Sequence, residues 1–375
     1  GFVDFKCASN KEVLFQMIKT LQHRGPDDEG VFLDERNNYQ VGLGHKRLSI
    51  LDLSQLGHQP MTFEELTIVY NGEIYNFKEV RKELEKLGYS FISESDTEVV
   101  LKAYHCWGDG MISKFNGMFV IIIYDAANQT LTLYRDRAGV KPLYWYFKDG
   151  LFLFGSELKS ICSHPQFEKT LNFEALSIFL QFGYIPQPLT IYQDSHKLSS
   201  GHFLKLDLNN SSLTNETYWE VFTSYLSKKV KKKEPEIIEE LDSLLLSAIN
   251  YRMVADVPVG VFLSGGYDSS LVTAMVQKDS TQKIKTFTIG FEEERFNEAK
   301  YAKQVADYLG TDHTEYLCSQ SDAINVVPSL PEIWDEPFAD SSAIPTYLVS
   351  KLARNEVVVS LSADGGDELF GGYEK

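Results

Sequence analysis

The chain has 375 residues, of which 43% are hydrophobic, so it is long enough for about two domains with cores of their own. Its formal net charge of −17 argues against a nucleic-acid-binding surface, and no apolar run reaches the roughly 18 residues of a membrane span. The four cysteines are far apart and form no CxxC pair, which favours a reducing cytoplasm and argues against disulfide or zinc frameworks.

The first half of the chain alternates short β-prone runs with two helical regions. Gly, Pro, Asn and Asp separate the β-prone runs, as turns separate strands. Apolar spacing typical of helices covers residues 11–23, 77–88 and 96–108. Strands are predicted at residues 67–75, 117–125, 129–136, 151–157 and 202–208. The pattern predicts a sheet-rich α+β domain over residues 1–205.

A lysine-rich stretch follows, and the pattern then changes. Five of the six residues from Lys228 to Lys233 are lysine, so residues 206–235 are interpreted as a solvated linker. After it come predicted helices at 237–254, 269–278, 298–310 and 341–354, with predicted strands at 259–263, 284–291 and 357–363. This alternation predicts a parallel α/β sheet in a second domain, residues 236–375.

The turn SGGYDSS, residues 264–270, lies between a buried strand and a helix of that domain. Glycines there let the backbone bend and approach a ligand, and a helix N-terminus attracts phosphate. Asp268 is suited to holding a Mg²⁺ ion that bridges phosphates. A P-loop would require GxxxxGK[ST], which is absent from this turn.

A second acidic, glycine-rich stretch, SADGGDELFGGY at residues 362–373, also follows a β-prone run. It contains three carboxylates, those of Asp364, Asp367 and Glu368. Because the carboxyl ends of parallel strands line one crevice, we expect both stretches to face a single nucleotide.

These stretches resemble the glutamine-dependent asparagine synthetase family. SGGYDSS is similar to its pyrophosphate-binding loop and SADGGDELFGGY to its second nucleotide motif. Residues 292–315 and 335–353 also follow the family pattern. Six stretches of the first half resemble motifs of the class II glutaminases: HRGPDDEG (23–30), HKRLSILD (45–52), NGEIYN (71–76), SDTEVV (95–100), RDRAGVKPLYW (135–145) and FGSELKS (154–160).

The resemblance implies a fold and a reaction. The first domain would be an α+β four-layer sandwich of the Ntn-hydrolase type. The second would be a parallel α/β sheet of the ATP-pyrophosphatase (adenine nucleotide alpha hydrolase-like) type. The first would hydrolyse glutamine with an N-terminal cysteine, and ammonia would pass through an internal tunnel. The second would use ATP and Mg²⁺ to adenylate aspartate, releasing pyrophosphate, and yield asparagine and AMP. A homodimer in the cytoplasm is expected.

The resemblance also assigns site residues. The glutamine site would comprise Arg47 for the carboxylate, Asn71 and Gly72 for the oxyanion, and Glu73 and Asp96 for the ammonium group. Asp364 would assist acyl-adenylate formation, at a position where many family members have Glu. Metal ligands would be Asp268 and Asp367. The ATP-binding residues would be Leu263, Ser264, Gly265, Gly266, Asp268, Ser269, Ser270, Ile289, Ser362 and Ala363.

Three departures from the family pattern leave alternatives open. The chain starts at Gly1 without the terminal cysteine, and Cys7 is interpreted as an ordinary cysteine because the mechanism needs the amine on the nucleophile itself. Tyr267 replaces the usual leucine, and the chain ends soon after Tyr373. We therefore expect a fragment that lacks a few N-terminal residues and a C-terminal part.

These departures leave alternative hypotheses for the acceptor substrate and for the activity. The same mechanism could act on another carboxylate, such as a sugar acid in surface-polysaccharide synthesis. A non-catalytic regulator that binds nucleotide or glutamine is the third hypothesis, since the nucleophile is not among these residues. A Met-Cys pair encoded upstream of Gly1 would discriminate between these hypotheses.

Overall fold

The computed structural model describes residues 1–227, 229–293 and 297–372, which divide into two compact units. The first unit holds residues up to 227 together with Trp334–Ala339, and the second holds the other described residues. Lys228 of the predicted linker, residues 294–296 of one family motif and Tyr373 of another lie outside the described residues. No described helix is both long and apolar enough to cross a membrane.

The first unit contains two antiparallel six-stranded sheets. One has the strand order β10-β8-β9-β1-β3-β2, formed by β1 (Phe2–Asp4), β2 (Asp28–Glu35), β3 (Gln40–Arg47), β8 (Tyr144–Lys148), β9 (Leu151–Gly155) and β10 (Ser195–Lys197). The other has the order β12-β11-β7-β6-β5-β4, formed by β4 (Met61–Phe63), β5 (Leu66–Ile74), β6 (Gly117–Asp125), β7 (Thr130–Arg135), β11 (His202–Asp207) and β12 (Leu213–Thr217). The helices of this unit are α1 (Lys11–Lys19), α2 (Phe77–Lys86), α3 (Asp96–Trp107), α4 (Leu158–Cys162), α5 (Phe173–Phe182) and α6 (Val221–Tyr225).

Alternation along the strands builds four layers from these elements. In β1, Phe2 packs with Leu14 and Met17 of α1, whereas Val3 faces the space between the sheets. In β5, Tyr70 packs on the core shared with α2 and α3, whereas Val69 packs between the sheets. Because successive strand residues point to opposite faces, each sheet buries one face on the other sheet and one face on helices. The predicted four-layer sandwich is confirmed.

The second unit is a parallel four-stranded sheet with helices on both faces. Its elements are α7 (Glu234–Arg252), β13 (Val259–Phe262), α8 (Tyr267–Asp279), β14 (Lys285–Phe291), α9 (Ala299–Leu309), β15 (Asp312–Cys318), α10 (Gln320–Val326), α11 (Leu330–Ile333), α12 (Ala343–Arg354), β16 (Val359–Leu361) and α13 (Gly366–Phe370). Val261 packs against α7 and α8, and its neighbour Phe262 packs on the opposite face with α12. The predicted parallel α/β sheet is confirmed.

Strand order in this sheet is β15-β14-β13-β16, so the two strands that precede the acidic, glycine-rich stretches are direct neighbours. Val261 of β13 pairs with Leu361 of β16 in parallel register. Three residues after Val261 comes Ser264, and one residue after Leu361 comes Ser362. The carboxyl ends of two adjacent parallel strands therefore place both stretches at the same edge of the sheet.

The elements differ from the sequence-based expectation in several places. The stretch predicted as a linker, 206–235, contains the end of β11 and the whole of strand β12, which pairs along β11 from Leu213↔Leu206 to Thr217↔His202. Ladder hydrogen bonds order this polar segment, although its composition is typical of a loop. Strands β2, β3 and β15 were not predicted either. The DHTEYLC sequence of β15 alternates exposed and less exposed residues on one outer strand of its sheet, a weaker signal than the apolar run of β13.

Candidate functional site

A cavity of about 370 Å³ lies in the first unit. It is bordered by the ends of β3 and β5 and by the start of α3. All five residues predicted to bind glutamine line this cavity: Arg47, Asn71, Gly72, Glu73 and Asp96. Cys7 is not among the lining residues; it is exposed just after β1.

Arg47, the last residue of β3, is buried, and its guanidinium group is held by backbone carbonyls. Nη1 donates to Ser54 O at 3.0 Å, and Nη2 donates to Leu51 O at 3.2 Å and also to Asp52 O. Gly57 packs closely on Nη2, so a side chain at this position would have to displace the guanidinium group. The orientation of the fork is therefore fixed before a ligand binds, which reduces the entropy lost on binding a carboxylate.

Asn71 and Gly72 lie near the end of β5. The side-chain nitrogen of Asn71 is buried and has no hydrogen-bond partner among the described residues. A buried unpartnered donor costs about 1–3 kcal/mol, so this nitrogen is available to an acceptor that enters the cavity, whether water or ligand. A side chain on Gly72 would collide with Met118 O, which explains the glycine.

Asp96 is the first residue of α3, and the side chain of Ser95 caps that helix by accepting from Thr97 N. The Asp96 carboxylate accepts hydrogen bonds from Tyr70 Oη at 2.7 Å and Ile74 N at 3.0 Å on the same oxygen, Oδ2. Burial raises its pKa to about 6, and these hydrogen bonds oppose the rise. Near neutral pH the group is mainly ionised and can bind a cation.

The charged or titratable residues at this cavity that were not predicted include three with distinct roles in its electrostatics: Arg24, His45 and Lys141. Burial, followed by the charge of Arg47, lowers the pKa of His45 to about 4, so its imidazole is neutral. Burial also lowers the pKa of Lys141, with the charge of Arg24 acting in the same direction. Each of the three belongs to one of the motifs, but only the fold shows that they share one cavity.

A second cavity, of about 950 Å³, lies in the second unit at the edge of the sheet where β13 and β16 end. Ten of the predicted residues line it: Leu263, Ser264, Gly266, Asp268, Ser269, Ile289, Ser362, Ala363, Asp364 and Asp367. Gly265 and Ser270, also predicted to bind ATP, are not among the lining residues. Gly265 has a positive φ of 86°, and a Cβ there would lie 2.6 Å from Ala302 N. This position in the turn therefore requires glycine.

The loop after β13 is ordered by its own serines. Ser264 Oγ lies 2.9 Å from Ser269 Oγ, and Gly266 N donates to Ser264 Oγ at 3.3 Å. Ser270 Oγ is buried without a hydrogen-bond partner among the described residues. These contacts hold the N-terminus of α8 at the cavity, where its free N–H groups can bind phosphate.

The carboxylates of the second cavity come from both strand ends. The Asp268 carboxylate lies directly against Gly366, so closely that a side chain there would collide with it. Asp364 accepts a hydrogen bond from Ser362 Oγ at 2.8 Å. Across the described residues, no group of three or more His, Cys, Asp or Glu side chains is arranged to hold a metal ion. Asp268 and Asp367 both line this cavity, and carboxylate oxygens are ligands that Mg²⁺ prefers.

Comparison with known protein families supports the interpretation of both halves of the chain. Residues 1–219 match the family described as glutamine amidotransferase domain, and residues 240–375 match the family described as asparagine synthase. A protein of Methanocaldococcus jannaschii named putative asparagine synthetase (glutamine-hydrolyzing) 2 is 41% identical, with 100% of this chain and 75% of that protein covered.

Two relatives from Bacillus subtilis have similar names. Asparagine synthetase (glutamine-hydrolyzing) 1 is 38% identical, with 98% of this chain and 56% of that protein covered. Asparagine synthetase (glutamine-hydrolyzing) 3 is 33% identical, with 100% of this chain and 62% of that protein covered. The chain thus spans less than two thirds of the length of either protein.

Proposed function

Because this chain belongs to the glutamine-hydrolysing asparagine synthetase family, we propose that its full protein transfers the amide nitrogen of glutamine to aspartate at the expense of ATP. The products are asparagine, glutamate, AMP and pyrophosphate. The observation that carries the proposal is the buried, unpartnered amide nitrogen of Asn71 in a cavity shared with Arg47 and Asp96.

Glutamine binds in the first cavity by its two charged groups. The fork of Arg47 binds the carboxylate, and Asp96 with Glu73 binds the ammonium group, so the side-chain amide is directed to Asn71 and Gly72. The Asn71 side chain and the Gly72 backbone N–H then stabilise the oxyanion, an arrangement in which one donor contributes about 10²–10³ in rate. The nucleophile implied by the family, an N-terminal cysteine, is not among the 375 residues.

ATP binds in the second cavity with its phosphates at the start of α8. Leu263 and Ile289 contact adenosine, and residues 264–270 with Ser362 and Ala363 surround the phosphates. Asp268 and Asp367 hold Mg²⁺, which when bound neutralises charge on the leaving pyrophosphate. Asp364 assists formation of the acyl-adenylate. No lysine is needed because β- and γ-phosphates leave together and the γ-phosphoryl group is not transferred.

A second candidate differs only in the acceptor. Tyr267 lines the second cavity and is 96% exposed, at a loop position where the family usually has leucine. A larger acceptor, such as a sugar acid, could stack on this ring, whereas aspartate would leave it unused.

The test supplies the full-length enzyme with ATP labelled in its α-phosphate, glutamine and either aspartate or a sugar acid. Label in AMP that depends on aspartate supports the proposal, and dependence on the sugar acid supports the second candidate. Label in ADP contradicts both. We also propose that the full-length enzyme is a cytoplasmic homodimer without nucleic-acid or membrane partners. Light scattering of the purified enzyme measures its mass and so tests for the dimer.

A further inference from the structure

Tyr70 is a buried side chain at the glutamine cavity to which the proposed reaction gives no role. It lies on β5, one residue before Asn71, lines the cavity and is only 4% exposed. Its hydroxyl group donates to Asp96 Oδ2 at 2.7 Å. The side chain of Tyr70 thus joins β5 to the carboxylate that is proposed to bind the ammonium group of glutamine.

A second contact fixes the backbone of Tyr70 against the same helix. Tyr70 N donates to Gln59 Oε1 at 2.6 Å, and Gln59 Nε2 donates to Thr97 Oγ1 at 3.3 Å. Gln59 is buried, and Thr97 follows Asp96 in the first turn of α3. One buried amide therefore bridges the two elements that the hydroxyl group also joins, so the direction of the Tyr70 hydroxyl is set on both sides.

The phenol of Tyr70 remains a hydrogen-bond donor. Burial, followed by the charges of Asp96 and Glu73, raises its pKa well above the usual value, so it keeps its proton. A donor of this kind favours the charged form of the carboxylate that it contacts. Burial raises the pKa of Asp96 to about 6, and the hydrogen bond from Tyr70 is one of those that oppose the rise. Without the hydroxyl group, Asp96 would lose its charge at a higher pH.

Other charged and titratable groups surround this pair. They are Arg47 of β3, Glu73 of β5, Tyr75 after β5, Arg81 of α2, Glu98 and Lys102 of α3, and Asp109 and Lys114 beyond the far end of α3. Strand β4, which also packs near α3, carries none. Removing the Tyr70 hydroxyl group leaves all of these groups in the chain, so a difference between the wild type and Tyr70→Phe is due to the hydroxyl.

We propose that Tyr70 is a positioning residue that keeps the Asp96 carboxylate ionised and oriented for an α-ammonium group, and thereby makes the first cavity selective for α-amino acids over amides that lack this group. Tyr70 acts through Asp96 and touches no reacting atom. The inference rests on the proposed function, from which it takes the role of Asp96. Removing the hydroxyl matters most at low pH, where the charge of Asp96 is being lost.

The first experiment follows the titration of Asp96 by infrared spectroscopy of its protonated carboxyl group, in the full-length enzyme without ligands. The band is assigned as the one that Asp96→Asn removes. Its midpoint should rise by about one pH unit in Tyr70→Phe, because a hydrogen bond to a charged group contributes at least that much. Phenylalanine keeps the ring that packs in the core with α2 and α3, so the fold is retained. An unchanged midpoint would overturn the inference.

The second experiment measures binding of L-glutamate, and of glutarate, which lacks the ammonium group, by calorimetry between pH 5.5 and pH 8. At pH 5.5 the Kd of L-glutamate should be about five- to tenfold higher in Tyr70→Phe than in the wild type, and this ratio should narrow to less than about twofold at pH 8. For glutarate the ratio should stay near one throughout. A ratio that is independent of pH, or an equal loss for glutarate, would indicate a merely structural role and overturn the inference.

The third experiment compares hydrolysis of L-glutamine with hydrolysis of glutaramate, the same amide without the ammonium group. The preference for glutamine in kcat/KM should fall about five- to tenfold in Tyr70→Phe at pH 5.5. The change should lie in KM for glutamine, as expected for an interaction that binds substrate and transition state equally. An unchanged preference at pH 5.5 would contradict the inference.

Tyr124→Phe is the matched control. Tyr124 is also buried and donates to an aspartate of the first unit, Asp34 Oδ2, at 2.7 Å, but neither residue lines the first or the second cavity. Its infrared midpoint and its Kd ratios should equal those of the wild type, and the same changes as in Tyr70→Phe would overturn the inference. Failure of the proposed function is recognised separately: a wild type that neither hydrolyses glutamine nor prefers L-glutamate to glutarate contradicts the proposed function and the inference together, whereas a wild-type preference that Tyr70→Phe leaves unchanged contradicts the inference alone.

Discussion

Asn71 illustrates how a single side chain can be costly to the fold and yet suited to the proposed reaction. Its amide nitrogen is buried without a partner among the described residues, and in the proposed reaction the developing oxyanion would satisfy it. We expect Asn71→Ala to reduce glutamine hydrolysis in the full-length enzyme by about 10²–10³-fold. Thermal unfolding without ligand should be unchanged or slightly raised, because no protein hydrogen bond is lost.

Asn210→Ala, at an exposed turn, is the control for Asn71→Ala and should retain full activity. Ammonia-dependent synthesis should be normal in both variants. Normal hydrolysis by Asn71→Ala would refute the oxyanion role.

Asp96 predicts a dependence on pH. Since burial raises its pKa to about 6, the carboxylate becomes neutral as the pH falls below that value and loses the ammonium group of glutamine. KM for glutamine should therefore rise about tenfold per pH unit below pH 6, whereas in Asp96→Asn it should be high and independent of pH in that range. A wild-type KM that is flat between pH 5 and 7 would contradict this role.

Asp96 also predicts a stability difference with a definite sign. A carboxyl group whose folded pKa exceeds its unfolded value stabilises the fold fully below the unfolded pKa of 3.8 and loses that contribution as the pH rises through about 6. Relative to the wild type, Asp96→Asn should gain roughly 2 kcal/mol in unfolding free energy between pH 4 and pH 8. Urea titrations at the two pH values measure this difference, and a loss of relative stability would contradict it.

At the scale of elements, the turn from β13 to α8 contains two adjacent glycines, and they differ in how well a side chain would be tolerated in their place. Gly265 has a positive φ and would bring a Cβ to 2.6 Å from Ala302 N, whereas Gly266 has φ −71° and would bring one to only 3.4 Å from Ser264 Oγ. Gly265→Ala should destabilise the second unit by about 1–2 kcal/mol from the backbone alone, and the close contact adds to this. Gly266→Ala should stay within about 0.5 kcal/mol. Thermal unfolding of the two variants side by side tests the difference, and equal losses would contradict it.

Local patterns explain which elements and site residues could be predicted. The apolar run of β13 and its glycines indicate a strand and a turn without any knowledge of neighbours, and helix α12 follows its apolar spacing. Strand β15 is polar and depends on pairing with β14, which the sequence does not reveal. The same holds for Glu157, whose partner His23 is 134 residues away along the chain, and for Lys159, whose partner Asp335 is 176 residues away; only the fold brings these pairs together.

At the scale of the whole molecule, each unit has its own cores: three large clusters around the two antiparallel sheets and smaller clusters on both faces of the parallel sheet. Units with separate cores unfold as separate cooperative transitions, and a ligand raises the stability of the unit that binds it. We therefore expect two calorimetric transitions in the full-length enzyme. ATP with Mg²⁺ should raise mainly one of them, and L-glutamate, the product of the first site, should raise the other.

Asp268→Asn allows the two transitions to be assigned. The substitution preserves the shape of a side chain that lies against Gly366 but removes one negative charge from the proposed metal site. A ligand at 100 times its Kd stabilises a unit by about 2.7 kcal/mol, and this increment should disappear for ATP in Asp268→Asn because Mg²⁺ no longer holds the phosphates. The shift caused by glutamate should persist, as should glutamine hydrolysis, because every residue proposed to bind glutamine belongs to the first unit. An Asp268→Asn enzyme that keeps its full response to ATP, or equal shifts of both transitions by each ligand, would contradict the assignment of one substrate to each unit.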